Sequence, residues 1–573
     1  MTSDSRQCQN CKQDFVIEPD DFAFYEKISV PPPTFCWQCR FQRRCAYRNE
    51  RSLKKQKSAK SGEDIFTLYP PQAGLTLYAQ EEWYADDWDQ MATGRDYDFS
   101  RPFFDQVFEL FKQAPIFCRN VVQVANSDYC ANASYLKNCY LLFQVSGAED
   151  SAYGNAVDYS KNCYDNSHLM KCERCYQGFW LTNCYQTFFS SQCIDSHGLW
   201  FSKNCRGCSN CVGCANLTGK QYCIFNEQYT KGEYEKMVAE MRLNTHSGLQ
   251  KLQQQAREFW LKFPNKFMQG IKNENVTGEY VTNSKNVQYG YLVREGKDLK
   301  YCQYQQIPKN EDCYDITIWG ENNQLCYENM GAGMASGLKF SVECYENIRD
   351  VEYSLSCVSC QDCFGCVGLR KKQYCILNKQ YSKEDYEALR AKIIAHMNDM
   401  PYTDKGGRVY RYGEFFPIEK SPYGYNSDMM NDHFPTEKEQ AIEQGYSWTD
   451  ADSKEYETTM DASALPDAIE DTTDDISREL IACIQCKRAY RITANELGFL
   501  RIEKIPLPRT CLNCRHKYRI AQRNKTLLYR RSCMCSQAHP HHSGQCPNEF
   551  ETAYAPDRPE IVYCEQCYQS EVV

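Results

Sequence analysis

Residues 203–229 read KNCRGCSNCVGCANLTGKQYCIFNEQY, and residues 355–381 read LSCVSCQDCFGCVGLRKKQYCILNKQY. Cys205, Cys208, Cys211, Cys214 and Cys223 match Cys357, Cys360, Cys363, Cys366 and Cys375 at one constant offset. The match continues through Lys220-Gln221-Tyr222-Cys223-Ile224 and Gln228-Tyr229, against Lys372-Gln373-Tyr374-Cys375-Ile376 and Gln380-Tyr381. The middle of the chain is therefore a tandem duplication. Upstream of the first copy, Cys172, Cys193 and Cys214 are spaced by 21 residues, with Ser151 one step earlier, and Cys130 lies one further step back. Asn-Cys recurs at Asn138, Asn162, Asn183 and Asn204, usually with an aromatic residue after it, as in Tyr140, Tyr164 and Tyr185. A three-residue insertion before Cys163 shifts one cysteine series and leaves the other in step. Short aromatic-rich stretches repeating at about 20 residues leave no room for two helices and predict the stacked coils of a β-solenoid. The second array runs from about Val276 to Asn378, and charged helical segments follow both arrays, near Glu233–Lys262 and Lys383–Met397.

Cysteine is small and prefers burial, so thiols stacked inside successive coils are the structural reading of these arrays. The runs C-x2-C-x2-C-x2-C also approach the spacing that holds an iron-sulfur cluster, or a zinc ion. Ala215 and Val367 follow the last cysteine, where the bacterial ferredoxin motif has an x3 step and then a proline after its own last cysteine. Alternation along a regular strand would send successive inward positions to opposite faces, so four thiols should converge only at a local turn.

Both ends of the chain carry one cysteine frame. Cys8-x2-Cys11 and Cys36-x2-Cys39 recur as Cys483-x2-Cys486 and Cys511-x2-Cys514 with equal loops between the pairs. Arg40, Arg44, Arg48 and Asn49 align with Arg515, Arg519, Arg523 and Asn524. Four thiolates in paired C-x2-C knuckles suit tetrahedral Zn²⁺, which predicts two structural zinc sites. The C-terminal copy continues to Cys533, Cys546, Cys564 and Cys567; with a gap of ten residues these fall on Ser58, Ser61, Ala79 and Glu82. A third zinc site is thus expected near the C-terminal end, and a metal-free counterpart near the N-terminal end, because serine and alanine do not replace thiolates. Cys535 is as good a donor as Cys533, and His539, His541 and His542 lie in the same loop, a short His-rich tract of the kind that is more often solvated than ligating.

The segments "CQNCKQDF…FYEKISVPPPTFCWQCR" and "CIQCKRAY…LRIEKIPLPRTCLNCR" resemble zinc-ribbon domains of treble-clef type, and "CPNEFETAYAPDRPEIVYCEQCY" is similar to a second small zinc-ribbon group. The whole layout resembles large uncharacterised proteins of candidate-phyla bacteria, some of them labelled CaiB/BaiF CoA-transferases. That label would imply a carboxylate that attacks a thioester and an α/β domain to carry it. The sequence shows no alternation of strands and helices long enough to make one. It has no H-E-x-x-H, no phosphate-loop Gly-Lys motif and no Ser/His/Asp signature. Gly331-Ala332-Gly333-Met334-Ala335-Ser336-Gly337 sits between two Cys-Tyr-Glu-Asn repeats and reads as a turn between coils.

Arg40, Arg44, Arg48 and Arg51 fall on about one helix face, with Lys54, Lys55 and Lys57 behind; Arg515, Arg519 and Arg523 repeat the pattern. Such stripes suit a phosphate backbone, so structured RNA or a ribonucleoprotein is one expected partner and another protein the other. The acidic stretch Asp450–Glu479 is an alternative cover for the C-terminal stripe.

A chain of 573 residues with 36 cysteines and net charge −9, with neither an apolar leader nor a bilayer-length apolar run, points to the reducing cytoplasm, with no membrane partner and no small-molecule substrate indicated. The expected fold is multidomain and mainly β with some α. It comprises a zinc ribbon over 1–55, a degenerate clef with a helix over 56–115, a solenoid over 116–226 and a helical segment over 227–270. A second solenoid over 271–378, a helix over 379–400 and a linker over 401–480, acidic and flexible at its end, follow; zinc ribbons occupy 481–525 and 526–573. The function this organisation implies is a non-catalytic scaffold with about three zinc ions; a redox or iron-sulfur protein using the central cysteines is the alternative, and a CoA-transferase-like enzyme a more distant one.

Overall fold

A computed structural model describes residues 2–450 and 456–572. Its core is two β-solenoids flanked by cysteine-rich modules from both ends of the chain. In the first solenoid each residue pairs in parallel with the residue 12 positions on, as in Tyr185 with His197, Ser209 with Gln221 and Cys211 with Cys223. The second keeps this step over much of its length, as in Cys363 with Cys375, and stretches it to Leu299 with Cys313 and Tyr314 with Tyr327 where residues are inserted.

The backbone explains the coil. Asn162, Asp165, His168, Lys171, Arg174, Gln177, Trp180 and Asn183, every third residue, all have φ between 49° and 55°. A left-handed residue turns an extended chain, so a turn after every third residue gives a coil of four short sides. The residue after each turn points inward: Cys163, Cys172, Cys175, Cys184, Cys193, Cys205, Cys208, Cys211 and Cys214 are all buried. The true repeat is therefore 12, and the 21-residue spacing seen in the sequence is one coil plus three sides. The three-residue insertion before Cys163 adds one whole side and keeps every thiol inward. For the same reason all four cysteines of a C-x2-C-x2-C-x2-C run face the axis, which strict alternation would forbid.

Asn-Cys is then a corner followed by an inward thiol. Asparagine tolerates the left-handed conformation, and its amide bonds along the stack: Asn138 Nδ2 donates to Asp150 Oδ1 at 2.9 Å and Asn204 Nδ2 to Asn216 Oδ1 at 2.8 Å. The thiols donate to backbone carbonyls, Cys163 Sγ to Lys161 O at 3.3 Å and Cys184 Sγ to Cys193 O at 3.4 Å. Burial pushes the Cys130 and Cys302 thiols up to about 12, which keeps them neutral; Cys302 donates to Lys300 O, and Cys130 Sγ accepts from the Leu142 N–H.

Each solenoid ends in the same way. The last coil folds back as a hairpin, Cys223 opposite Gln228 and Cys375 opposite Gln380. A helix follows, Lys231–Glu240 or Lys383–Asp399, capped by Thr230 or Ser382 and anchored through buried Tyr234 or Tyr386. The solenoids lie side by side: Gln306 contacts His168, Arg294 contacts Met170, and Tyr280 packs on Phe179 and Trp180. The contacts advance along the first stack as they retreat along the second, so the stacks run antiparallel.

Much of the expected linker is packed, although residues 456–459 are exposed. Tyr410, Phe415 and Phe416 are at most 1% exposed, and Glu414 pairs with Arg43. Met460–Asp461 pairs with Ile481–Ala482, and Leu465, Ile469 and Ile476 are buried against the second module; residues 451–455 of that stretch lie outside the described residues.

The terminal modules dock crosswise. The module of residues 4–46 grips the second solenoid at Cys313-Tyr314-Asp315, where Phe24 stacks on Tyr314 with centroids 3.9 Å apart. The module of residues 481–521 grips the first solenoid at Cys163-Tyr164-Asp165, where Phe499 stacks on Tyr164 at 4.5 Å. Asp315 receives Arg40 Nη2 at 2.8 Å and Arg44 Nη1 at 3.0 Å; Asp165 receives Arg515 Nη1 at 2.7 Å and Arg519 Nη1 at 3.1 Å. Both aspartates are fully buried corner residues. Removing one partner from a buried ion pair strands the other charge. Asp315→Asn or Asp165→Asn should each lower the opening free energy of the docked helix by about 3–5 kcal/mol, read from native-state hydrogen exchange of the amides in Trp37–Ala46 or Leu512–Ala521. A loss below 1 kcal/mol, within the range of exposed pairs, would contradict the docking.

Candidate metal centres

Three groups of four cysteines bring their sulfurs within 4.8 Å of one another: Cys8, Cys11, Cys36 and Cys39; Cys483, Cys486, Cys511 and Cys514; and Cys533, Cys546, Cys564 and Cys567. The knuckles form because a left-handed residue follows the second cysteine, Lys12 at φ 61° and Lys487 at φ 60°, and returns its N–H to the first cysteine's carbonyl at 3.0 Å. The second pair in each module opens a helix, Trp37–Ala46 or Leu512–Ala521, so a sulfur sits at the helix start where free N–H groups favour negative charge.

The spacing fits a tetrahedral ion. Bonds of about 2.3 Å to sulfur put neighbouring sulfurs about 3.8 Å apart. Cys11 and Cys36 stand at 3.7 Å, Cys483 and Cys514 at 3.9 Å, Cys486 and Cys511 at 3.5 Å, and Cys546 and Cys564 at 4.0 Å. Donors aim at the sulfurs as they do around bound thiolates: Cys511 N–H at Cys483 at 3.3 Å, Cys564 N–H at Cys533 at 3.2 Å, and Asn10 Nδ2 at Cys39 at 3.2 Å.

In the third group Cys533, rather than Cys535, joins the other three sulfurs. Cys535 is buried beside it and meets His539 and Glu571. The histidines fold back onto the module: His541, though exposed, and His542 each reach Cys567 Sγ, at 3.3 and 3.1 Å. The sequence placed these side chains in one loop, but their convergence on Cys567 depends on the way the loop closes.

The N-terminal counterpart, with Ser58, Ser61, Ala79 and Glu82 at the ligand positions, keeps the shape. Strand pairs Lys54–Lys57 with Asp64–Thr67 and Tyr529–Ser532 with Glu549–Thr552 correspond, and Leu77–Tyr78 and Val562–Tyr563 each pair in parallel with the strand that leads into a solenoid. At the ligand positions the Glu82 carboxylate accepts from Ser58 Oγ and from Ala79 N–H. Burial opposes its charge, but hydrogen bonds from Ser58 and Ser61 hold its carboxyl below the usual range. A side-chain anion with hydroxyl donors occupies the centre where the other copy gathers four thiols.

Among the described residues, groups of three or more donors within 4.8 Å occur in the terminal modules, and neither central four-cysteine run forms one. The geometry therefore does not assemble the iron-sulfur or zinc site that those runs suggest, since no three thiols of either run lie mutually within that distance.

The arginine stripes turn inward. Arg40, Arg44, Arg48, Arg515, Arg519 and Arg523 are each at most 8% exposed. Four of them bind Asp315 or Asp165 as described; Arg48 pairs with Glu343 and Glu50, and Arg523 donates to His168 Nε2 at 3.0 Å. The expected phosphate grip is thus turned onto partners in the same chain, carboxylates for five of the six arginines and His168 for Arg523. The carboxylates that meet the C-terminal stripe come from the solenoid and from Glu496, while described carboxylates of the acidic segment pair elsewhere, Asp474 with Arg501 and Asp461 with Lys487. Sequence reasoning missed Cys-Tyr-Asp as the docking motif; the offset between Cys163-Tyr164-Asp165 and Cys313-Tyr314-Asp315 was the available signal.

No family model matches the chain, and no curated protein matches it in sequence. Among solved structures, a protein of Desulfovibrio desulfuricans G20 described as a "putative acetyltransferase" aligns with 43% of this chain at 11% identity and a TM-score of 0.10, and the chain covers 62% of that protein. A score this low carries no argument about fold or activity. No match supports the CaiB/BaiF resemblance, and no helix among the described residues is long and apolar enough to cross a membrane.

Two outcomes are expected. Stripping metal with a strong chelator should open residues 2–46 and 481–572 to protease while the solenoids, held by backbone ladders, stay resistant; resistant ends would contradict a structural metal. Glu279 lies where Asn524 docks on the second solenoid, and burial pushes its carboxyl up to about 8 against hydrogen bonds from Asn524 and the Gln269 N–H. The unfolded carboxyl titrates near 4.3, so the folded state holds the extra proton in between, and stability present at low pH is lost as pH rises through about 8. The loss between pH 6 and 8 should be about 2 kcal/mol in denaturant titrations and much smaller in Glu279→Gln. Equal slopes for the two proteins would refute it.

Proposed function

We propose that this protein is a non-catalytic scaffold of a reducing compartment, in which zinc-bearing treble-clef modules clamp two antiparallel solenoids into one rigid platform for other macromolecules. The observation that carries this reading is the reciprocal docking: the modules of residues 4–46 and 481–521 each place a helix on the solenoid nearer the opposite end of the sequence, through a buried Tyr-Asp pair. A metal surrounded by four thiolates has no open position for water or substrate, so it stabilises the module and leaves nothing to activate. Zinc fits the tetrahedral sulfur set and needs no redox change. The burial of the arginine stripes moves the expected partner from RNA towards protein, since the phosphate-binding groups are already satisfied within the chain.

Cobalt substitution tests the closed sites. The Co²⁺-loaded full-length protein should show the absorption of tetrahedral cobalt-thiolate centres, unchanged by azide. A spectrum that shifts with azide would reveal an open coordination position and favour an enzyme.

A further inference from the structure

The stretch between Cys533 and Cys546, ten residues longer than its counterpart between Ser58 and Ser61, adds Cys535, His539 and His542 as donors. Cys535, His539, His542 and Cys567 place one ligand atom each within 4.8 Å of one another, and Cys567 also belongs to the four-cysteine group with Cys533, Cys546 and Cys564. We propose that the C-terminal module holds two divalent, thiophilic metal ions that share the Cys567 thiolate, the second ion being bound by Cys535, His539 and His542.

The loop is built for this. His539 N–H donates to His542 O at 2.9 Å and His542 N–H to His539 O at 3.1 Å, a closed turn that lays both imidazoles on the module. His542 Nδ1 lies 2.9 Å from Gly544 O, which takes its proton and leaves Nε2 with a free lone pair, the tautomer a metal requires. That Nε2 stands 3.1 Å from Cys567 Sγ, and His539 Nε2 stands 3.3 Å from Cys535 Sγ. A tetrahedral ion with bonds of about 2.3 Å to sulfur and 2.0–2.1 Å to nitrogen sets such pairs about 3.5 Å apart. Cys535 is fully buried, and its backbone carbonyl accepts the Cys546 N–H at 2.9 Å, which ties the second set to a ligand of the first.

Electrostatics favours the pair. Four thiolates around one divalent ion carry a net charge of about −2, and a fifth thiolate at Cys535 would raise it to about −3. A second cation with two neutral imidazoles returns the cluster to about −1 and makes Cys567 a bridge. Glu571 Oε1, 3.2 Å from Cys535 Sγ and 3.0 Å from His539 Nε2, stands at the edge of this set. His541 is exposed, and the set that includes it would draw on both Cys546 and Cys567 from the first ion, whereas the His539 set shares only one ligand.

This inference rests on reading the four-cysteine groups as metal sites, and the experiment separates the two. Elemental analysis of full-length protein purified with zinc should give four ions per chain, falling to three in the Cys535→Ser/His539→Ala variant. Three ions in both proteins would overturn the second ion and leave the four-cysteine sites standing; no bound metal would overturn both. Cadmium-113 NMR of the unaltered protein needs no variant to fold: two of four resonances should split each other through the shared sulfur. Four ions without that coupling would overturn the bridge.

Discussion

A left-handed backbone residue at every third position is the constraint on which this molecule depends. Each such residue is unfavourable for an L-amino acid by about 1 kcal/mol, and only dense ladders between coils and a filled interior hold so many of them in place. The interior of a coil with three-residue sides is narrow and admits one inward side chain per side. Cysteine fills that space with a small, polarisable group whose S–H reaches the nearest carbonyl, as Cys163 reaches Lys161 O. The abundance of cysteine thus has two unrelated settings: packing in the solenoids and, at the ends, groups of four thiols close enough together to hold a metal ion.

The solenoids would by themselves be two rods with exposed sides. They become one body because each terminal module crosses to the opposite rod and inserts an aromatic ring and two arginines over a corner aspartate. Burying Arg44 and Asp315 removes two charges from water, and the geometry compensates with further partners: Arg44 also meets Thr317 at 2.9 Å and Gln303 at 3.1 Å. The same arrangement around Asp165 gives the whole chain an internal pseudo-symmetry, in which duplicated modules meet duplicated solenoids. The copies differ at one centre, where Ser58 and Glu82 stand in place of thiols and a carboxylate that accepts from Ser58 Oγ and Ala79 N–H supplies the cohesion.

Much of the architecture was legible in one sequence. The duplicated arrays, the helices after them, the paired knuckles and the loss of ligands at Ser58, Ser61, Ala79 and Glu82 follow from spacing, because metal knuckles and stacked coils impose fixed intervals on the residues that build them. The coil length was not legible as 12, since inward thiols recur at every multiple of three and 21 is one of those multiples. The buried role of Arg40 and Arg515 was hidden as well: a stripe of arginines reads the same whether it faces phosphate, water or an aspartate.

The sequence by itself determined the local chemistry: which residues turn, which point inward and which can hold a metal. Those properties depend on neighbours within a few positions, and spacing records them. Only the tertiary structure decided the pairings. That Arg519 meets Asp165, that Phe24 lies on Tyr314, that Tyr410 and Phe415 line a core and not a linker, and that His542 turns towards Cys567 are contacts between distant segments. Their energies come from burial and complementary charge, which no local interval encodes.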